Sequence, residues 1–150
     1  ALHGAKGASM QAIVSSDKAM SGRHPLRILL AEDNVINQKV ALRMLGRMGY
    51  HADLAPNGLE ATLAVQRQTY DVVLMDMHMP EMDGLQAARR ICEMREPHIR
   101  PRIVALTASA MQADQEECQA AGMDDYLSKP IDVSALRTAL QKCRRISIEG

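Results

Sequence analysis

Asp71-Val72-Val73-Leu74-Met75-Asp76-Met77-His78-Met79-Pro80 is an apolar run of strand length that closes on an acid and then on a proline. A continuous run of this kind, without polar alternation, fits a strand buried on both faces. Its closing carboxylate is then held at the rim of a sheet, where open α/β folds place their ligand sites. Three more stretches read the same way. Arg27-Ile28-Leu29-Leu30-Ala31 runs into Glu32-Asp33-Asn34, Arg102-Ile103-Val104-Ala105-Leu106 runs into Thr107, and Asp125-Tyr126-Leu127-Ser128 delivers Lys129-Pro130. Four strand ends thus bring three acids, a hydroxyl and an ammonium to one crevice.

Between these strands the pattern is helical. The spacing predicts a helix from Asn34 or Val35 to Met48, with Ile36, Val40, Leu42, Met44, Leu45 and Met48 as its apolar face and Gly49 closing it. A short strand from His51 to Leu54, a Pro56-Asn57-Gly58 turn and a helix from Leu59 to Gln68 follow. Beyond Asp76, the loop from Pro80 to Gly84 leads to a helix from Leu85 to Arg95, and Glu96 to Pro101 is a polar connection broken by two prolines. A helix from Met111 to Ala121 is stopped by Gly122, and the last helix runs from Val133 to Arg144 with Asp132 as N-cap. Five repeats of strand then helix, joined by right-handed crossovers, give a parallel sheet covered on both faces.

A chain of 150 residues suits one domain with one core. Its 18 basic residues balance 18 acidic ones, which argues against a nucleic-acid tail or a patch for anionic membranes. Phe and Trp are absent, so Leu, Ile, Val, Ala and Met must build the core, and the methionines read as gap fillers rather than a deformable binding face. Cys92, Cys118 and Cys143 form no close pair, indicating neither a disulfide framework nor a zinc site and fitting a reducing cytosol. No apolar stretch approaches the ~18 residues that span a bilayer, and Met10 to Val14 is too short for a signal peptide.

Residues 1–24, rich in Ala, Gly, Ser and Met, read as a flexible leader or linker, with a short helix from Met10 to Met20 as the alternative. Residues 25–145 read as the folded domain and 146–150 as a tail. The Ala start implies a processed or excised piece.

The phrases LLAEDNVINQKVALRML, DVVLMDMHMPEMDG, IVALTASAM and AGMDDYLSKPI resemble, in order and spacing, the receiver (response regulator) domain of two-component signalling. They are most similar to the receiver of a hybrid sensor histidine kinase. The resemblance covers Leu26 to Arg145. It implies a flavodoxin-like (βα)5 three-layer sandwich with a parallel five-stranded sheet of order 2-1-3-4-5, its crevice beside strands one and three.

The resemblance also implies roles. Asp76 would be the nucleophile, taking a phosphoryl group from a phosphohistidine. Asp33 and Asp76 would bind Mg²⁺, or Mn²⁺ in its place, directly, Glu32 mainly through water, and His78 through its backbone carbonyl. Lys129 would pair with phosphoryl oxygens, its bond to Pro130 would be cis, and Thr107 would hydrogen-bond another oxygen. Thr107 and Tyr126 would form the switch, a half-buried strand tyrosine being the alternative for Tyr126. Ala108 and Ser109 would tune dephosphorylation from the rim. The implied partners are a histidine kinase phosphodonor domain and a histidine phosphotransfer protein docking near helix one, with the face of strand five and the last two helices read on signalling. Neither nucleic acid nor direct membrane contact is implied, and the oligomeric state stays open.

Taken singly, each acid could be a turn former or a helix cap, and Asp83-Gly84 reads as a turn device. It is the joint placement with Thr107 and Lys129 that points to chemistry. An enzyme of related architecture fits less well. Glu32-Asp33-Asn34 lacks the glycines of a nucleotide loop, and His78 stands where a haloacid dehalogenase-type phosphatase would carry its second Asp. A stand-alone single-domain regulator and a phosphorylation-independent interaction module remain as alternatives. The domain would assist its own phosphotransfer and slow dephosphorylation, while catalytic turnover would belong to a parent histidine kinase, a transferase, with this domain in the cytoplasm.

Overall fold

Ile28–Ala31 and Val72–Asp76 are buried along their whole length, which only the interior of a sheet covered on both faces provides. The computed structural model describes residues 20–94, 96, 99–108 and 112–146. In it five strands, β1 (Ile28–Ala31), β2 (Ala52–Ala55), β3 (Val72–Asp76), β4 (Arg102–Thr107) and β5 (Asp125–Ser128), pair in parallel in the order β2-β1-β3-β4-β5. Five helices alternate with them: α1 (Val35–Arg47), α2 (Gly58–Arg67), α3 (Gly84–Met94), α4 (Gln112–Ala120) and α5 (Val133–Gln141). The flavodoxin-like architecture implied by the sequence is the one observed. The leader as far as residue 19, the rim residue Ser109 and the expected helix start at Met111 lie outside the described residues.

Alternation along the strands divides the core in two. Ile28, Leu30, Leu74, Val104 and Leu106 pack with Leu45 of α1 and Leu136 and Leu140 of α5. Leu29, Val73, Met75, Ile103 and Ala105 pack on the other face with Val65 of α2, Ile91 of α3 and Cys118 of α4. Met75, Met77 and Met123 are buried in this second layer, with Met79, Met82 and Met94 half-buried against it, so these methionines fill the core.

Caps set the helix starts. Asn34, Asn57 and Asp132 each accept hydrogen bonds from the first turn of the helix that follows. Asp83 accepts from the Gln86 amide while Gln86 Oε1 accepts from the Asp83 amide, a reciprocal capping box that accounts for the Asp83-Gly84 turn.

Two expectations need correction. The inward stripe of α1 is Gln38, Ala41 and Leu45, continued by Met48, whereas Ile36 (71% exposed) and Val40 (44%) face outward and Leu42 and Met44 are half-buried. Gln38 belongs to the inward face because it bonds the β1–α1 connection, a tertiary contact that apolar periodicity does not register. The last helix stops at Gln141 rather than Arg144: Lys142 and Cys143 turn back onto Ala139 and Leu140, which frees the chain to lay Ile146 against Asp71.

The end of the expected leader is docked onto the domain. Met20 is buried beside Met48 and Leu140, the Ser21 amide bonds to Met48 O, His24 Nε2 lies 3.0 Å from Leu140 O, and the Tyr50 hydroxyl donates to His24 O at 2.5 Å. Beside it, the buried Asp71 carboxylate receives the Arg27 guanidinium at 2.8 and 3.1 Å, the Arg27 amide at 2.6 Å and the Ile146 amide at 2.7 Å. Burial alone would raise the Asp71 pKa. The hydrogen bonds from the Arg27 side chain, the Ile146 amide and the Arg27 amide, with the Arg27 charge, outweigh it and hold the carboxyl below its ordinary range.

Candidate functional site

The opposite end of the sheet gathers the acids. Glu32 follows β1 and is buried, Asp33 beside it is exposed, and Asp76 ends β3 and is buried. One carboxylate oxygen from each of the three lies within 4.8 Å of the others. Asn34 donates its amide to Glu32 Oε2 at 3.1 Å, so the loop that caps α1 also fixes one of the acids.

Lys129 enters from the end of β5 and is followed by a cis bond to Pro130, with its amide bonded to Thr107 O at 2.7 Å. Its ammonium sits 3.0 Å from Glu32 Oε1 and 3.0 Å from Asp76 Oδ1. Burial lowers the Lys129 pKa, but hydrogen bonds to Asp76 and Glu32 and their negative charge more than restore it, so the group is raised and stays protonated. The repulsion among the acids is therefore partly balanced from within. Three carboxylates still face one ammonium.

Thr107 closes β4 and is buried at the same rim. The His78 amide points at Asp76 Oδ1 from 3.4 Å, a long contact, while the imidazole is exposed on the rim. Tyr126 lies on β5 in register with Ala105, and its side chain is exposed. Ala108 is exposed next to Thr107.

Two features of this site carry weaker sequence signals. A Cβ on Gly84 would overlap the Asp76 carbonyl oxygen, so only glycine lets α3 start against the backbone of that residue. The Gly84 amide also donates to Met77 O at 3.0 Å, which ties the residue after Asp76 to the helix. The second feature is Gln38, buried on α1, whose amide nitrogen donates to Glu32 O at 2.7 Å. Its only trace in the sequence is a polar residue at the head of the inward spacing 38-41-45-48.

The donor set suits a hard divalent cation. Three carboxylate oxygens converge in a partly dry crevice with an excess of negative charge, and oxygen donors of this kind are what Mg²⁺ prefers.

Residues 28–141 match the response regulator receiver domain family. Among curated proteins the chain is 37% identical over 155 residues to probable histidine kinase 1 of Oryza sativa subsp. indica, covering 83% of this chain and 16% of that protein. It is 42% identical over 124 residues to hybrid signal transduction histidine kinase H of Dictyostelium discoideum, covering 80% of this chain and 9% of that protein. The chain thus spans less than a fifth of either relative's length. Among solved structures, the receiver domain of sensor histidine kinase PA1611 from Pseudomonas aeruginosa PAO1, crystallised with magnesium in its active-site cleft, shares 44% identity at a TM-score of 0.71, over 78% of this chain and 95% of that one. A chain in the Saccharomyces cerevisiae co-crystal of the histidine phosphotransfer protein Ypd1 with the receiver domain of Ssk1 shares 30% identity at a TM-score of 0.75, over 83% and 93%. With strand order, acid cluster and matched span in agreement, this chain belongs to the response regulator receiver domain family.

Proposed function

We propose that the chain is the phosphoacceptor of a phosphorelay and that Asp76 receives the phosphoryl group. The observation that carries this is the charge arrangement: a buried strand-end carboxylate stands within 3.0 Å of the one ammonium while two further acids leave the crevice negative. A carboxylate oxygen of Asp76 attacks phosphorus in line with the phosphohistidine nitrogen. An O–P bond forms, the N–P bond breaks, and the electron pair returns to the imidazole, which takes up a proton. Lys129 would pair with oxygens of the transferred group and the Thr107 hydroxyl would donate to another, a reading supported by the Lys129–Asp76 ion pair and by the place of Thr107 at the end of β4.

Glu32, Asp33, Asp76 and the His78 carbonyl would hold Mg²⁺, with Mn²⁺ as a substitute. The ion, when bound, offsets the repulsion between the acids and an incoming phosphoryl group. Glu32 is already engaged by Lys129 and Asn34, which supports its contributing through water rather than directly. Once Asp76 carries the phosphoryl group, Thr107 and Tyr126 would shift a pre-existing equilibrium between two arrangements of the loop after Thr107 and of the β5 face.

We further propose that the domain is the receiver of a hybrid histidine kinase acting in the cytoplasm, supported by the kinases among its relatives and by cysteines without close pairing. No helix among the described residues is long and apolar enough to cross a membrane. Phosphotransfer would involve the kinase's histidine domain or a separate histidine phosphotransfer protein, docking where Val35, Ile36 and Val40 are exposed on the first turns of α1 beside the acids. The likeness to a chain of the Ypd1–Ssk1 co-crystal supports the second kind of partner.

Incubation with acetyl phosphate and Mg²⁺ should add one phosphoryl group by intact mass, and Asp76→Asn should abolish it. Wild-type labelling of Asp76→Asn would sink the assignment.

A further inference from the structure

The Glu32–Asp33 peptide sits between β1 and the cap of α1. Its strand side is secured where the Glu32 amide donates to Ala55 O at 3.0 Å, extending the β1–β2 ladder by one bond. On its helix side Gln38 reaches back across one turn of α1 and donates Nε2 to Glu32 O at 2.7 Å. That carbonyl belongs to the peptide plane that carries the Asp33 amide. Its orientation sets the direction in which the Asp33 Cα, and with it the Asp33 carboxylate, leaves the strand. Asp33 itself is exposed, so packing does not fix it. Gln38 spends its buried amide on a loop carbonyl, although α1 already has a cap in Asn34 and a core stripe in Ala41 and Leu45.

We propose that Gln38 is a positioning residue for the acid cluster: by locking the Glu32–Asp33 peptide plane it pre-organises the Asp33 carboxylate for a divalent cation. The inference rests on reading Glu32, Asp33 and Asp76 as a cation site and adds a residue that touches neither cation nor phosphoryl group. Removing the donor leaves the acids in place but frees the plane to rotate, so the cation must then order the loop itself.

Gln38→Met keeps length and approximate volume and deletes the amide, donor and acceptor together. In a Mg²⁺ titration followed by NMR its affinity should fall about tenfold, the scale on which partners of metal ligands act. Acetyl phosphate labelling should slow at low Mg²⁺ and return to the wild-type rate at saturating Mg²⁺. Leu140→Val, a core change on α5, serves as the control: it should lower the thermal midpoint and leave Mg²⁺ affinity unchanged. A Gln38→Met protein that binds Mg²⁺ as tightly as wild type overturns the proposal, whatever its thermal midpoint. Gln38→Glu, which keeps the size and loses the donor when ionised, is the second variant, and failure of both to fold would make Gln38 a structural strut and overturn the proposal as well. Failure of the underlying site reading looks different: Asp33→Asn would then match wild type in the same titration.

Discussion

Each end of the sheet holds a buried carboxylate facing a cation, and the two are completed in opposite ways. Asp71, at the end where the strands begin, receives a guanidinium and two backbone amides, so its charge is matched and its oxygens are taken. Asp76, where the strands finish, shares one ammonium with Glu32 and stands within 4.8 Å of two other acid oxygens. A buried acid with a full set of internal partners holds the fold. One left in negative excess favours a cation arriving from outside.

This contrast can be broken most forcefully at the closed end. Asp71→Asn removes the charge and leaves a part-buried guanidinium without its partner, which should cost about 3 kcal/mol of stability in urea unfolding. Labelling of the folded protein by acetyl phosphate should be unchanged. A loss below about 1 kcal/mol would put Asp71 in the class of surface pairs. The same variant tests the pH dependence. Because the folded-state pKa of Asp71 is depressed, its contribution is complete above the unfolded value and disappears as the pH falls through the folded one. Wild type should therefore lose stability below about pH 4, where an unfolded aspartate begins to protonate, and Asp71→Asn should lack that part of the acid limb.

At the open end the largest effect should come from Asp33→Asn, which removes the charge of a proposed direct ligand. Mg²⁺ affinity should fall at least about tenfold, or about 1.4 kcal/mol, in an NMR titration. Equal affinities would refute direct ligation. A finer test inverts the usual cost of losing a buried acid. Without divalent cations, Asp76→Asn relieves repulsion from two acids and gives up attraction to one lysine, so stability should rise by roughly 1 kcal/mol. A fall would mean that Lys129 already balances the cluster.

The smallest change in the fold, and the most selective in function, is expected on the exposed side of α1. Ile36→Asp or Val40→Asp should alter stability by less than about 0.5 kcal/mol. Either should slow phosphotransfer from a protein donor while acetyl phosphate labelling is unaffected. Equal loss with both donors would mean that the pocket itself was damaged.

The sheet was legible because β1, β3 and β4 are largely apolar runs, and Glu32, Asp33, Asp76 and Thr107 because they end or follow such runs. What stayed hidden depends on distant partners. Asp71 reads as a strand flank, yet its partners Arg27 and Ile146 lie 44 and 75 positions away. On α1 the polar Gln38 shares the inward face with Ala41 and Leu45 and bonds a loop carbonyl, while the conspicuous apolar residues Ile36 and Val40 belong to the outward face. The role of Lys129 as counterion to the acids is equally non-local, spanning 97 positions to Glu32.

The hydrogen bonds from His24 to Leu140 and from Arg27 to Ile146 bring the incoming and outgoing stretches of chain together where the strands begin. Strand polarity puts that point at the far side of the sheet from Asp76. Residues 24–27 and 140–146 are therefore fastened to one another at the end away from the acid cluster, which leaves the Glu32, Asp33 and Asp76 side of the sheet clear of both stretches.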